Sequence, residues 1–351
     1  MGRAAGGYLN AMPPAALPDA RGELTDRLFG RLDRSPHDIG TDALRRVDSA
    51  GEDDLQVALY CLYELHYRGF DGVDDRWEWE PSVLAVRQRA EHRFEAELRA
   101  SVGPVRVGPA GAVGDLWELA EGGDGPSLSR WMASRGRREH LLEFFVHRSA
   151  YQLKEADPHT WAIPRLSGRA KAVMTAIQSD EYGAGRAADM HSTLFARTMV
   201  DAGLDPTPGA YLDAIPGYTL ATTNLISMLG LHRRFRGALV GHLALFEMTS
   251  IGPMARYSEA ARRLGLPATA RRFFDVHVEA DRVHQHLAAD GMVSGLLERE
   301  PDLAGDVLFG ARCLQAVESR FTGELLSRWE RGRTSLRHPQ LPPAPAGRPA
   351  A

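Results

Sequence analysis

The chain has 351 residues, 44% of them hydrophobic and 25% charged, which is typical of about two globular domains of roughly 150 residues each. Its 42 basic and 46 acidic residues give a net charge of −4 with no long block of one sign, which argues against nucleic acid as a partner. Two cysteines are too few for a disulfide framework or a thiolate zinc site, and they fit a reducing cytosol. No stretch has the apolar length of a signal-peptide core or a membrane helix, so we expect a cytoplasmic protein without a membrane partner.

The two ends of the chain have little apolar surface. Residues 1–20 are rich in Ala, Pro and Gly, and residues 334–351 are rich in Pro. Such segments cannot bury enough surface to offset the entropy lost on ordering, so a disordered N-terminus and a disordered tail are predicted.

Residues 21–100 predict a small N-terminal helical module. Their apolar side chains recur at the helical spacing from Leu55 to Leu65 and again from Val83 to Leu98. Residues 101–126 are rich in Gly and Pro and predict a connector that contains one short amphipathic piece, Asp115–Glu121.

Residues 127–333 predict a larger helical module, so the whole protein is expected to be all-α. Ser127 is a suitable N-cap for its first helix, and Pro or Gly stands at most of the joints. Seven helices are predicted, over 127–156, 165–182, 187–203, 219–230, 233–264, 267–290 and 301–332. Helices of this length form a bundle with a substantial interior.

The densest chemical motif is DVHVEADRVHQH, residues 275–286. On a helix, His277, Asp281 and His284 fall within about 60° of arc, whereas His286 points to the other side and is expected to be exposed. Two imidazoles and a carboxylate on one stripe are suitable ligands for iron, manganese or zinc. The alternative is an exposed polar stripe with i,i+4 pairs.

A second candidate is Glu247, which has apolar residues on all sides of its predicted helix. A buried carboxylate costs several kcal/mol unless it is paired or bound to a metal. The alternative to a metal ligand is a structural ion pair with one of the nearby arginines, Arg233, Arg234 or Arg236.

Glu181 and His191 form a third candidate pair. On one straight helix they would lie about 15 Å apart, too far to share a site. Gly183 and Gly185 predict a break between them, so that Glu181 ends one helix and His191 lies on the next. Taken alone, His191 is equally explained as a histidine of the core.

The fourth candidate, Glu155, has competitors in the same predicted helix. Glu143 and His147 form an i,i+4 pair that looks equally suitable as a ligand pair, and spacing does not choose between the two positions.

Together the candidates amount to three histidines and four carboxylates on at least four helices. Two divalent ions balance the charge of four acids, so this set suits a dinuclear metal site. A ferritin-like bundle would require two Glu-x-x-His motifs, whereas the nearest match here is the single Asp281-x-x-His284, which disfavours that fold.

Three of these motifs resemble those of the heme-oxygenase-like diiron oxidases, also called iron-containing redox enzymes. They are SDEYGAGRAADMH at 179–191, the isolated Glu247 in GHLALFE, and HVEADRVH at 277–284. The segment LYELHYRGFDGVDDRWEWEP, residues 62–81, is similar to the helical module that precedes the catalytic domain in longer members. The resemblance covers most of residues 50–320.

The resemblance implies a heme-oxygenase-like bundle of about seven core helices, preceded by the smaller N-terminal helical module. Within the bundle it implies a non-heme site for two Fe ions, which react as Fe2+ with O2 and need an external electron donor. Carried over by motif, the implied metal ligands are Glu155, Glu181, His191, Glu247, His277, Asp281 and His284.

The resemblance also implies an oxidase or monooxygenase that activates O2 to oxidise a small-molecule substrate in natural-product biosynthesis. Family members oxygenate amine or guanidine nitrogen, decarboxylate fatty acids or cleave C–C bonds. Members with the N-terminal module include N-oxygenases and often dimerise through it, so we expect N-oxygenation and a homodimer. Apart from the resemblance, Arg165, Arg169, Arg197 and Arg256 are candidate anchors for a substrate carboxylate or, equally, surface or ion-pair residues.

Two alternative functions remain open at this point. One is a metal-free heme-oxygenase-like enzyme of the thiaminase or cofactorless-oxidase kind, although Cys61 lies outside the larger module and nothing places Cys313 beside a base. The other is a non-enzymatic helical scaffold whose buried acids pair with arginines.

Overall fold

The computed structural model describes residues 14–122 and 125–338, and every regular element in these two ranges is helical. The prediction of an all-α protein is therefore confirmed. Within the same ranges, every helix is too short or too polar to cross a membrane.

The N-terminal part is built around one buried helix. Its helices are α1 (Glu23–Leu32), α2 (Asp42–Arg46), α3 (Glu52–Glu64) and α4 (Pro81–Val102). Every residue of α3 from Asp54 onwards is buried. The carboxylate of Asp54 accepts hydrogen bonds from the backbone N–H groups of Leu24 and Thr25, at 3.1 and 3.0 Å. These bonds cap the first turn of α1 and fix it to α3.

The Gly/Pro-rich connector contains a helix that begins earlier than predicted. This helix, α5 (Ala112–Glu121), includes the expected amphipathic piece and begins three residues before it. Its buried residues are Ala112 and Leu116, which lie one turn apart on the face that meets the bundle.

The second part of the chain contains ten helices among the described residues. They are α6 (Leu128–Arg135), α7 (Arg138–Gln152), α8 (Asp157–Thr160), α9 (Gly168–Glu181), α10 (His191–Ala202), α11 (Gly217–Leu231), α12 (Arg236–Arg263), α13 (Ala268–His286), α14 (Ser294–Leu297) and α15 (Ala304–Trp329). A π-helical turn, Leu287–Val293, joins α13 to α14.

The single helix predicted over 127–156 is wrong. Ser127 caps α6 as expected, but Gly136 ends that helix by donating its N–H to the carbonyls of Trp131 and Met132, at 3.1 and 3.2 Å. The next helix, α7, ends at Gln152, so Glu155 lies in a turn instead of on a helix.

Close contact between α12 and α15 brings the longest helices into the centre of the bundle. A Cβ atom on Gly241 would lie 1.8 Å from the carbonyl oxygen of Val307, and one on Gly310 would lie 1.8 Å from that of Ala238. Only glycine permits such a backbone approach at these two positions. The contact holds α12 rigidly along the segment that leads to Glu247.

The N-terminal part packs directly on the second part. α3 lies along α11, where the side-chain amide of Asn224 donates to the backbone and side-chain oxygens of Gln56, at 2.8 and 2.9 Å. One continuous cluster of buried apolar residues includes members of both parts.

The tail expected to be disordered from residue 334 is ordered at its start. Ser335 and Leu336 are buried, and Arg337 donates its backbone N–H to the carbonyl of Ala214 at 2.9 Å. Near the N-terminus, Asp19 belongs to the segment 1–20 that was expected to be disordered, yet it donates its backbone N–H to the Asp213 carboxylate at 2.8 Å. The remaining residues of the two predicted disordered segments, 1–13 and 339–351, lie outside the described ranges.

Candidate metal centre

The seven candidate ligands come from four helices and one turn that meet inside the bundle. Each of them is at most 7% exposed. They are Glu155 in the turn after α7, Glu181 at the end of α9, His191 at the start of α10, Glu247 in α12, and His277, Asp281 and His284 in α13.

Four of these side chains form a first group, Glu155, Glu181, His191 and His277. One potential ligand atom from each lies within 4.8 Å of all the others. The Nδ1 atom of His191 is 2.7 Å from a Glu181 oxygen, and the Nε2 atom of His277 is 3.5 Å from a Glu155 oxygen. Two imidazoles and two carboxylates at this spacing are a suitable ligand set for a divalent transition metal.

A second group shares Glu181 with the first and adds Glu247 and His284. The Nδ1 atom of His284 lies 3.4 Å from Glu247 and 3.8 Å from the other oxygen of Glu181. Asp281 lies beside this group, with Oδ1 3.7 Å from the same nitrogen. Glu181 therefore presents one oxygen to each group, as a carboxylate that bridges two metal ions does.

The break between α9 and α10 is what lets Glu181 and His191 meet. As predicted, Glu181 ends one helix and His191 begins the next. Gly183 adopts φ +66°, and a Cβ there would lie 2.6 Å from the backbone nitrogen of Met190. A tight left-handed turn of this kind requires glycine.

The unpaired atoms of the centre fit metal ions. The Nδ1 atoms of His191 and His284 and the Oδ1 atom of Asp281 are buried without a hydrogen-bond partner. The two imidazole nitrogens lie 2.7 Å from Glu181 and 3.4 Å from Glu247, and the Asp281 oxygen lies 3.7 Å from His284. Buried polar atoms are almost always satisfied, so nitrogen and oxygen lone pairs that converge in this way are suited to cations.

The charges of the centre also fit metal ions. Burial raises the pKa values of Glu155 and Glu247, and burial together with the negative charge of Glu247 raises the pKa of Asp281 to about 8. Among the described residues, the four carboxylates form ion pairs with histidines only. Divalent cations would stabilise the ionised forms that burial disfavours.

The structural ion pair considered for Glu247 is contradicted, because Arg234 pairs with Glu95 and Arg236 with Glu300. Arg233 is exposed.

Hydrogen bonds around the centre orient the ligands. The Nδ1 atom of His277 lies 2.8 Å from the carbonyl of Phe273, so this nitrogen carries the proton and leaves Nε2 free towards Glu155. The Nε2 atom of His284 lies 3.1 Å from Asp180, which leaves Nδ1 free in the same way. These contacts give both imidazoles the tautomer that a metal requires.

Neighbouring side chains hold two of the carboxylates. Ser250 donates its hydroxyl to Asp281. The amide nitrogen of Gln152, turned towards Glu155, donates to both of its oxygens at 2.7 and 3.1 Å.

The competing pair Glu143 and His147 has a different role. Glu143 accepts hydrogen bonds from the indole of Trp329 and from the backbone N–H and hydroxyl of Ser335, at 2.8, 2.8 and 2.6 Å. His147 contacts the hydroxyls of Thr219 and Ser335, at 2.8 and 2.9 Å. Both side chains are satisfied by the chain's C-terminal segment, and neither belongs to a ligand group.

A small cavity lies beside the centre. Besides five of the ligands it is lined by the apolar residues Ala156, Leu243 and Phe246 and the polar residues Tyr151, His159, Gln178 and Ser250. Neither lysine nor arginine is among its described lining residues.

The four arginines considered as carboxylate anchors all have partners outside this cavity. Arg165 donates to the carbonyls of Gly230 and Leu231 at the end of α11. The partners of Arg169, Arg197 and Arg256 are Glu298, Asp201 and Ser129. The expected anchors are therefore not found in the structure.

Sequence reasoning missed the polar wall of the cavity. His159 and His242 are both buried, with Nε2 of the first 3.2 Å from Nδ1 of the second. The amide nitrogen of Gln178 is buried without a partner. His242 stands five residues before Glu247 in an otherwise apolar helix, which is a signal that could have been read from the sequence.

Neither cysteine lines the cavity. Cys61 and Cys313 are both buried, and burial raises the pKa of each thiol, to about 12 for Cys313. The thiaminase alternative requires a reactive thiolate in the pocket, and these two thiols are poorly suited to that role.

Comparisons with known proteins agree with this chemistry. Residues 142–319, just over half of the chain, match the family described as iron-containing redox enzymes. A similar protein is nitrosourea synthase from Streptomyces achromogenes subsp. streptozoticus, which is 24% identical over 189 residues. The match spans 54% of this chain and only 40% of the length of that relative.

Proposed function

The chain belongs to the iron-containing redox enzyme family, and on this premise we propose that it is an O2-dependent non-heme diiron oxidase. The seven side chains Glu155, Glu181, His191, Glu247, His277, Asp281 and His284 would hold the two irons. The observation that carries the proposal is the position of Glu181, which faces both ligand groups and so suits a bridge between two ions.

In this proposal the chain's own residues hold, orient and shield the reactive centre. Ferrous iron would supply the electrons that activate O2, which side chains cannot supply. The hydrogen bonds from His277 to Phe273 and from His284 to Asp180 occupy the outer nitrogen of each ring, so that the nitrogen facing the centre can bind a metal ion in place of a proton. Burial of every ligand keeps bulk water from the centre, which protects a reactive oxidant from side reactions.

We further propose that the substrate is oxidised at nitrogen, in natural-product biosynthesis. Among the described residues, neither lysine nor arginine lines the cavity to bind a fatty-acid carboxylate, whereas the Tyr151 hydroxyl and the His159 imidazole can accept hydrogen bonds from N–H groups. The similar protein is a nitrosourea synthase, named for a product that contains a nitrogen–oxygen bond. Both observations favour an amine or guanidine over a fatty acid.

The proposal is tested by O2 consumption of the iron-loaded protein with a chemical reductant. We expect alkylamines or alkylguanidines to accelerate O2 uptake and to yield N-oxygenated products by mass spectrometry, with lauric acid as the comparison substrate. Faster uptake with lauric acid and its decarboxylation would contradict the assignment to nitrogen. The variant His284→Ala should lose the activity while keeping the helical circular-dichroism signal.

A further inference from the structure

A buried ion pair joins the N-terminal part to the turn that carries Glu155. The Nζ atom of Lys154 lies 2.7 Å from Oε2 of Glu64, the last residue of α3, and both side chains are buried. The same Nζ atom lies 4.4 and 4.5 Å from the ring centres of Tyr60 and Tyr67. The cation next to a proposed metal ligand is thus held entirely by the N-terminal part of the chain.

Glu64 is a fixed point because α3 is firmly attached to the bundle. Asn224 of α11 donates two hydrogen bonds to Gln56 of α3. The hydroxyl of Tyr67 donates to Ser227, also in α11, at 3.2 Å. Lys154 is therefore paired with a residue that is fixed to α11, and this pairing restrains the turn.

The backbone of the turn is weakly held at Glu155 itself, although the N–H groups of Lys154 and Asp157 donate to the carbonyls of Tyr151 and Lys154 at 2.8 and 3.2 Å. The N–H of Glu155 reaches the carbonyl of Gln152 at only 3.5 Å. The next residue, Ala156, adopts φ +76°, which is the left-handed region that side chains with a Cβ disfavour. Such a conformation persists only where surrounding contacts impose it. Before Glu155 that contact is the Lys154 pair, and after it Asp157 accepts a hydrogen bond from Tyr182 at 2.8 Å.

We propose that the Glu64–Lys154 pair positions Glu155 in the first ligand group, so that the N-terminal part completes the metal centre. This inference rests on the proposed diiron function and goes beyond it, because neither residue faces the centre. Glu64 and Lys154 are positioning residues, which act through the turn. Outer groups that orient metal ligands typically contribute about 10- to 100-fold to metal affinity.

The test compares iron binding by the full chain and three variants. Glu64→Gln breaks the pair but leaves a buried charge on Lys154. The double variant Glu64→Gln/Lys154→Met removes both charges, which usually preserves stability. The control, Glu318→Gln, breaks the partly buried pair that Glu318 forms with Arg148 of α7, at 2.6 and 2.7 Å. This pair lies away from the ligand groups.

Anaerobic titration with Fe(II), followed by Mössbauer spectroscopy, measures each iron separately. We expect both Glu64 variants to bind one of the two irons about 10- to 100-fold more weakly and to retain the other. The double variant should keep the melting temperature of the unaltered chain, and Glu318→Gln should bind two irons normally. A purely structural role would lower stability without this selective loss.

Unchanged binding of both irons by the double variant would overturn the positioning role and leave the diiron function standing. Equal weakening of both irons would also overturn it, because Glu155 belongs to the first group only. Failure of the unaltered chain to bind two irons would overturn the proposed function and this inference with it.

Discussion

At the scale of single residues, Glu181 connects the two ligand groups. One of its oxygens lies 2.7 Å from His191 and the other 3.8 Å from His284. The remaining carboxylates each approach one group only. The geometry therefore assigns Glu181 a role that none of the other three acids shares.

Removing the charge of Glu181 should weaken both irons together. We expect Glu181→Gln to lower iron affinity at both positions by more than about 100-fold, because a ligand contributes more than an outer-shell partner. Glu143→Gln is the matched control, since Glu143 is equally buried but binds Trp329 and Ser335. Anaerobic Fe(II) titration distinguishes them, and retention of one tight iron in Glu181→Gln would argue against a bridge.

Metal binding should release protons, because the pKa values of Asp281, His277 and His284 are all raised in the metal-free protein. Burial and Glu247 raise the pKa of Asp281 from 3.8 to about 8. Burial alone would lower the pKa of His284, but the adjacent carboxylate of Glu247 raises it from 6.5 to about 9. The metal-free protein thus holds protons that the unfolded chain loses, and their stabilising effect disappears as the pH rises towards 8 and 9.

Iron affinity should rise with pH, whereas the stability of the metal-free protein falls. We expect it to rise between about pH 6.5 and 8.5, by up to tenfold per pH unit for each proton displaced. Thermal unfolding with and without Fe(II) measures both effects: the melting temperature of the metal-free protein should fall over this range while the increase due to iron grows. An iron effect independent of pH would contradict these protonation states.

At the scale of elements, the break between α9 and α10 brings Glu181 to His191. Gly183 and Gly185 both have left-handed φ, +66° and +81°, but only Gly183 lacks space for a Cβ. We expect Gly183→Ala to displace Met190 and His191 and to weaken iron binding. Gly185→Ala should cost only about 1 kcal/mol of unfolding free energy. Similar iron affinity in both variants, measured beside their unfolding curves, would show that the turn does not position the ligand.

Much of this arrangement could be predicted from the sequence, and the exceptions have physical causes. The stripe His277–His284 and the glycine break were predictable because helical periodicity and glycine act locally. The choice of Glu155 over Glu143 was not, because it depends on Ser335 reaching back to Glu143 from a distant part of the chain. The end of α7 at Gln152 was missed because neither glycine nor proline marks it, and the left-handed residue that follows is Ala156.

At the scale of the whole molecule, distant segments complete the bundle. α3 packs along α11 from the N-terminal side, and residues 334–338 lie against α7 and α11 from the C-terminal side. The Pro-rich composition of residues 334–351 predicted a disordered tail, but composition does not show that Ser335 forms hydrogen bonds inside the bundle. Ser335 contributes hydrogen bonds to the buried side chains of both Glu143 and His147, beside those that Trp329 and Thr219 provide.

Two truncations test the role of the C-terminal segment. Ending the chain after Arg333 leaves Glu143 and His147 without Ser335, and each unsatisfied buried group costs about 1–3 kcal/mol. We expect a clear loss of unfolding free energy with the iron stoichiometry unchanged. Ending it after His338 keeps every one of these contacts, so equal loss in both truncations would refute the assignment.

The central claim is that one chain holds two inequivalent irons bridged by Glu181. Anaerobic loading with 57Fe(II), followed by metal analysis and Mössbauer spectroscopy, tests it most directly. We expect two irons per chain and two ferrous signals, because the two ligand groups differ in composition. The first has two histidines and Glu155, whereas the second has one histidine and Glu247, with Asp281 beside it. A single iron per chain, or two irons without spectroscopic evidence of coupling, would contradict it.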